Sequence, residues 1–215
     1  MRVLAMVFLV VLGGALGLVL WEANTGLHVK PTYVMEALPQ SGVSHPVTAV
    51  LLNFRAFDTL LEVTVLLIAF LAFLGLAPTA RHAIFFRPGG MPKFLVRALA
   101  PFFLVGATYL WLIGSVDSGG AFQAAALLAA LIIFYRLSGL TQKISPFYVR
   151  ISAVFGLAFF LLAGTVSLFW GAFFSYRVAL AGHVILAVEF FLTLTLGVIL
   201  GGFFVGNEPS RSKRW

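Results

Sequence analysis

Three ionisable residues, Arg55, Asp58 and Glu62, stand between a short apolar run from Pro46 to Phe54 and a longer one from Val63 to Ala77 that carries no charge. At separations of three and four residues, a helix would bring them to one face. The second run is 15 residues long, so Glu62 would lie about one turn inside the end of a helix entering a bilayer. An ionised group beside hydrocarbon is expensive unless a partner or water reaches it. Arg55 can neutralise one carboxylate, which leaves the other able to exchange a proton or hold a cation. A structural account also exists. Thr59 and Glu62 match a capping box, and Asp58 can cap a helix start.

Glu189 is the second candidate. It lies 11 residues beyond Val178 in the apolar run Val178 to Phe204, roughly 17 Å along a helix axis and near the middle of a bilayer. Glu189, Thr193, Gly197 and Gly201 recur every fourth residue, so an acid and a hydroxyl share a stripe with a GxxxG contact that should face protein. Either the acid is a hydrogen-bonded link between helices, or it is a station in a proton or cation relay. Intramembrane acids favour the relay. His183 is six residues from Glu189, hence off its face, and reads as an interfacial or packed residue. Asp117, just before Ser118-Gly119-Gly120, reads as a turn residue.

The chain that must position these groups has 215 residues, 61% of them hydrophobic and 10% charged, with a mean hydropathy of +1.07. That composition belongs to an integral membrane protein. It contains no cysteine, which excludes disulfides and thiolate metal sites. Its four histidines are too dispersed for a zinc motif. No P-loop, strand-borne GxGxxG, HExxH or convincing Ser/His/Asp arrangement occurs, so neither an enzyme nor a bound cofactor is expected; a proton or cation would be cargo. The net charge of +7 points to basic loops beside a bilayer rather than to nucleic acid.

The pattern predicts an all-α fold of about six membrane-spanning helices. Val3 to Trp21, 19 uncharged residues with Gly13 and Gly17, is read as a first span rather than a signal peptide. Glu22 to His45, with its prolines and glycines, is read as an extended loop. Pro46 to Phe54 is too short to span and predicts a short interfacial or re-entrant helix. The remaining spans are predicted at Ala56 to Leu76, Ala98 to Gly114, Ala121 to Tyr135, Ile151 to Trp170 and Val178 to Phe204. Pro92 is placed at a helix start and Pro101 near the entry of the third span. The turn Ser115 to Gly120 makes spans three and four an antiparallel pair. Ala121, Ala125 and Ala129 give the fourth a small-residue face. Alternate connections collect 11 of the 14 basic residues on one side, which predicts that both termini are cytoplasmic.

Asn53-Phe-Arg-Ala-Phe-Asp-Thr-Leu-Leu-Glu-Val-Thr-Val-Leu66 resembles the pattern D-F-R-G-F-D-T-x-G-E-x-T-V-L. That pattern lies near the carboxyl end of the MrpA-type component of Mrp-type multisubunit Na⁺/H⁺ antiporters and in the matching small, MbhE-like component of membrane-bound hydrogenases. Asn53, Ala56 and Leu61 depart from it. Residues 91 to 206 resemble the four-helix, MnhB-type component of the same antiporters. There a H-x-x-P-G-G-G-F-Q-like turn corresponds to Ser115-Val-Asp-Ser-Gly-Gly-Ala-Phe-Gln123, without its histidine, and the acid of the last helix corresponds to Glu189. The resemblance implies a fusion of a two-helix region, 1–90, with a four-helix region, 91–215. It implies a multi-pass protein of a cell membrane that works beside A-, C- and D-like membrane subunits. Asp58, Glu62 and Glu189, with Arg55, Thr59 and Thr193, would serve an ion path, or else the chain has a structural role in assembly.

Overall fold

The computed structural model describes Val10, Gly13, Gly14, Gly17 and Leu18 and residues 31–76, 90–140 and 146–205. These are α1 (Pro31–Ser41), α2 (Pro46–Ala49) with a π-helical turn (Val50–Phe54), α3 (Ala56–Leu76), α4 (Gly90–Ile113), α5 (Ala121–Leu137), α6 (Pro146–Ser167) with a 3₁₀ turn (Leu168–Trp170), and α7 (Val178–Val205). The described residues are almost wholly helical, as an all-α membrane protein requires. The chain divides into two compact units, Met1–Glu36 and Ala37–Trp215. In the first, the five described residues between Val10 and Leu18 are helical; the rest of the predicted first span lies outside the described residues.

Among the described residues, four segments are long and apolar enough to cross a membrane: Ala56–Gly75, Gly90–Ile113, Phe147–Trp170 and Val178–Phe204. The predicted fourth span forms as α5 but has 17 residues, about 25 Å. The third begins at Gly90 rather than Ala98 because Pro92 falls in a first turn, where its missing N–H costs nothing. Pro101 is therefore well inside α4.

The predicted loop Glu22 to His45 needs correction. Pro31 to Ser41 is a helix, opened by Pro31, whose missing N–H costs nothing there, while Pro39 near its end gives up one i→i−4 bond. Gly42, at φ +75°, ends it, and a Cβ there would stand 2.5 Å from that of Ala181. Glycine satisfies both demands.

Within the second unit, α7 is the central helix. Of its most apolar window, 56% is buried inside the chain, against 17–33% for the other three spans. One α7 face, Ile185, Val188, Leu192, Leu196 and Ile199, shares a core with Val63, Leu67 and Phe70 of α3 and Ala153, Leu157 and Phe160 of α6. The opposite stripe is the predicted one and it meets α5. A Cβ on Gly197 would lie 3.0 Å from Leu128 Cβ, and one on Gly201 would lie 3.0 Å from Ile132. Ala121, Ala125 and Ala129 are buried. Small residues on both helices let them approach closely, and dispersion replaces the hydrophobic effect that lipid withholds.

Candidate functional site

Glu189 is held by α7 between that helix and the start of α5, 3% exposed. Tight packing of the α4–α5 turn puts α5 there. The Gly120 N–H donates to Leu110 O at 2.8 Å, and a Cβ on Gly119 would lie 2.5 Å from that same carbonyl oxygen. Gly120 takes φ +114°, a conformation open to glycine, and an added Cβ would lie 3.3 Å from Glu189 Oε1 and 3.6 Å from Gln123 Oε1. The carboxyl group thus faces the amino end of a 17-residue helix whose leading residue offers no side-chain cap. Free N–H groups and the positive end of the helix dipole favour negative charge at this spot, by up to about 2 kcal/mol in partly buried geometry.

Glu189 Oε2 is buried without a hydrogen-bond partner among the described residues. Thr193, one turn on, does not supply one. Its hydroxyl donates to the Glu189 backbone carbonyl at 2.7 Å, with Ala121 O at 3.5 Å. A buried carboxyl oxygen that accepts no hydrogen bond is unfavourable as a purely structural element.

Asp58 and Glu62 are in different surroundings. Arg55 adopts φ −128° and ψ 37° at the end of the π-helical turn, and its Nη2 lies 2.5 Å from Asp58 Oδ2, both side chains being at least half exposed. Asp58 falls in the first turn of α3, where a carboxylate is favourable. Glu62 is exposed and, with Asp58, Leu61, Val65 and Leu66, lines an open groove of about 460 Å³ made by α3 alone. The capping-box expectation is corrected. α3 starts at Ala56, three residues before Thr59, and the buried Thr59 hydroxyl donates to Leu51 O at 2.6 Å. It satisfies a carbonyl loosened by the π-helical turn rather than an N–H.

Glu189 and the Arg55–Glu62 cluster are therefore not brought together. One is inside the chain, and the other lies on a face turned away from it. Asp117 is exposed and its Oδ1 accepts the Ser118 N–H at 2.6 Å, the turn role its sequence position predicts. His183 is exposed and lines a second groove with Ser44, Ser115, Gly182 and Leu186.

Three polar residues escape a reading based on charge. Thr48 is buried and its hydroxyl donates to Gly114 O, tying α2 to the α4–α5 turn. Gln123 flanks the site of Glu189. Thr195 accepts the Gly156 N–H at 2.8 Å and donates to Ser152 O at 2.8 Å, so an α7 hydroxyl bridges one step of the α6 ladder. Gly156 permits this, since a Cβ there would lie 2.6 Å from Thr195 Oγ1. The signal available was a threonine opposite a glycine on neighbouring spans, which sequence alone does not pair.

Two family models match the chain. One, described as a domain related to the MnhB subunit of Na⁺/H⁺ antiporter, covers residues 91–206 and so includes all but the first residue of α4, and the whole of α5, α6 and α7 with Glu189. The other, MbhE, described as a subunit of MBH, covers residues 2–85 and includes Arg55, Asp58 and Glu62. No curated protein matches. Among solved structures, a chain of the membrane-bound sulfane sulfur reductase, an archaeal respiratory membrane complex, is similar at 24% identity and a TM-score of 0.72, with 95% of this chain and 97% of that chain covered. A chain of the Mrp complex from Dietzia sp. DQ12-45-1b is similar at 23% identity and a TM-score of 0.67. All of the present chain aligns there to 26% of that larger one. At these identities the structures establish a shared fold.

Proposed function

Because the chain belongs to the family of domains related to the MnhB subunit of Na⁺/H⁺ antiporters, we propose that it is one membrane component of a multisubunit cation/proton antiporter or a related respiratory complex, and that Glu189 contributes a carboxyl group to its ion path. The observation that carries the second half is the buried, unpartnered Oε2 of Glu189 set against the amino end of α5. A proton or a monovalent cation satisfies that oxygen, and the helix end stabilises the charge left when it departs.

The chain acts with partners rather than alone, and it is not an enzyme. Its α3 acids face outward, on a surface where Leu61, Val65 and Ile68 are also exposed. Lipid would leave Glu62 unsolvated, so a neighbouring protein of the complex or a hydrated passage must cover it. We read residues 1–90 and 91–215 as a fusion of the two subunit types, lying in the cell membrane with both termini on the cytoplasmic side. Isolation of the intact complex from native membranes, with identification of its members, tests the assembly. Antiporter-type subunits in the preparation are expected; recovery of this chain by itself would refute it.

A further inference from the structure

The groove that His183 lines has a volume of about 470 Å³, room for on the order of ten water molecules. One wall is the α4–α5 turn at Ser115, one is the segment after α1 at Gly42 and Ser44, and one is α7 at Gly182, His183 and Leu186. The walls are fastened by the backbone N–H groups of Ser44 and His45, which donate to Ser115 O at 3.3 and 3.1 Å.

Two of its walls connect to Glu189 through short stretches of chain. On α7, Leu186 is three residues before Glu189 and Gly182 seven before it, all on one helical face. Through the turn, Ser115 follows Gly114, whose carbonyl accepts the Thr48 hydroxyl. A Cβ on Gly114 would lie 2.6 Å from Gly120 Cα, and Gly120 abuts the carboxyl. Between the groove and the buried acid stand the half-buried Leu186, whose backbone carbonyl accepts the Trp111 Nε1–H at 3.0 Å, and the glycine turn.

We infer that this groove is the aqueous vestibule through which a small cation, hydronium or an alkali metal ion, enters toward Glu189, with Leu186 as its apolar closure. The inference rests on the proposed role of Glu189. It adds which end of the bundle supplies the ion, namely the face that carries Ser115 and His183, opposite the basic side.

The absence of cysteine from the chain makes a labelling test direct. Ser115→Cys and Ser118→Cys are introduced separately into the whole complex; Ser118 is exposed in the same turn but does not line the groove. Vesicles of both orientations are treated with a membrane-impermeant cationic methanethiosulfonate, with the unsubstituted complex as the control for cysteines of other subunits. Ser115→Cys should react from one membrane face only, and the attached cation should slow Na⁺-dependent proton exchange at least fivefold. Ser118→Cys should react with exchange unchanged. Complete modification of Ser115→Cys without loss of exchange, equal loss at Ser118→Cys, or no reaction of Ser115→Cys from either face overturns the vestibule. His183→Cys on the facing wall is a second position with the same expected and overturning results, should Ser115→Cys fail to assemble. Glu189→Gln run alongside separates the two claims: lost exchange there, with harmless modification at Ser115, removes the vestibule and leaves the role of Glu189 standing.

Discussion

Glu189 Oε1 lies against Gly120, so closely that a single methyl group on the glycine would come within 3.3 Å of it. The acid predicted from the sequence of one helix is thus set by the turn that begins another. This relation offers a reason why a carboxyl group is tolerated inside a helix that otherwise packs by dispersion: the residue before α5 lies against it, at the positive end of that helix.

Gly120→Ala should accordingly damage the site in two ways. The backbone conformation, φ +114° and ψ −177°, is strained for alanine by roughly 1–3 kcal/mol, and the methyl group pushes on the carboxyl. A fall in thermal stability of the purified complex together with slower exchange is expected. Full activity at wild-type stability would mean that the turn can relax away from Glu189.

Thr195→Val removes a hydroxyl that serves both Gly156 N–H and Ser152 O while keeping its shape. The cost should be about 1–3 kcal/mol, and Thr195→Ser should recover most of it. Thermal unfolding in detergent measures both. Indifference to valine would show that the α6 ladder closes unaided.

Gly201→Leu should separate α5 from α7, because Ile132 already stands 3.0 Å from where a Cβ would begin. Overpacking of this kind typically costs about 1–3 kcal/mol or more. Reduced recovery of the assembled complex on a sizing column is the readout, and unchanged recovery would contradict the close contact.

Tyr176 precedes α7, outside the spans, with its hydroxyl buried and unpartnered. Burial raises its pKa above the ordinary 10.0. The folded protein therefore holds this proton more tightly than the unfolded chain, and stability is fully present below about pH 10 and lost as pH rises beyond it. Tyr176→Phe should leave neutral stability unchanged or slightly higher and flatten the alkaline decline. The same decline in both proteins would place the alkaline sensitivity elsewhere.

Much of this arrangement was legible in the residues. Ala56 to Leu76 and Val178 to Phe204 announced themselves by long apolar runs, and the four-residue spacing of Glu189, Thr193, Gly197 and Gly201 put an acid, a hydroxyl and two glycines on one stripe, the composition of a helix contact. What escaped was pairing between distant segments. Periodicity shows that Thr195 is on a helix but not that Gly156 opens a neighbouring backbone to it. Prolines made Pro31 to Ser41 look like a loop, but their cost depends on position: Pro31 opens the helix without losing a bond, and Pro39, near its end, removes one. The capping-box pattern at Thr59 failed for a related reason: the π-helical turn started α3 three residues early and gave the hydroxyl a carbonyl to satisfy.

The most direct measurement is Na⁺-dependent proton exchange in inverted vesicles carrying the assembled complex with Glu189→Gln, which keeps the size of the side chain and removes its charge. The account predicts normal assembly with exchange reduced at least tenfold. Exchange at the wild-type rate in a normally assembled Glu189→Gln complex would contradict it, and would leave the acid as a link between α5 and α7.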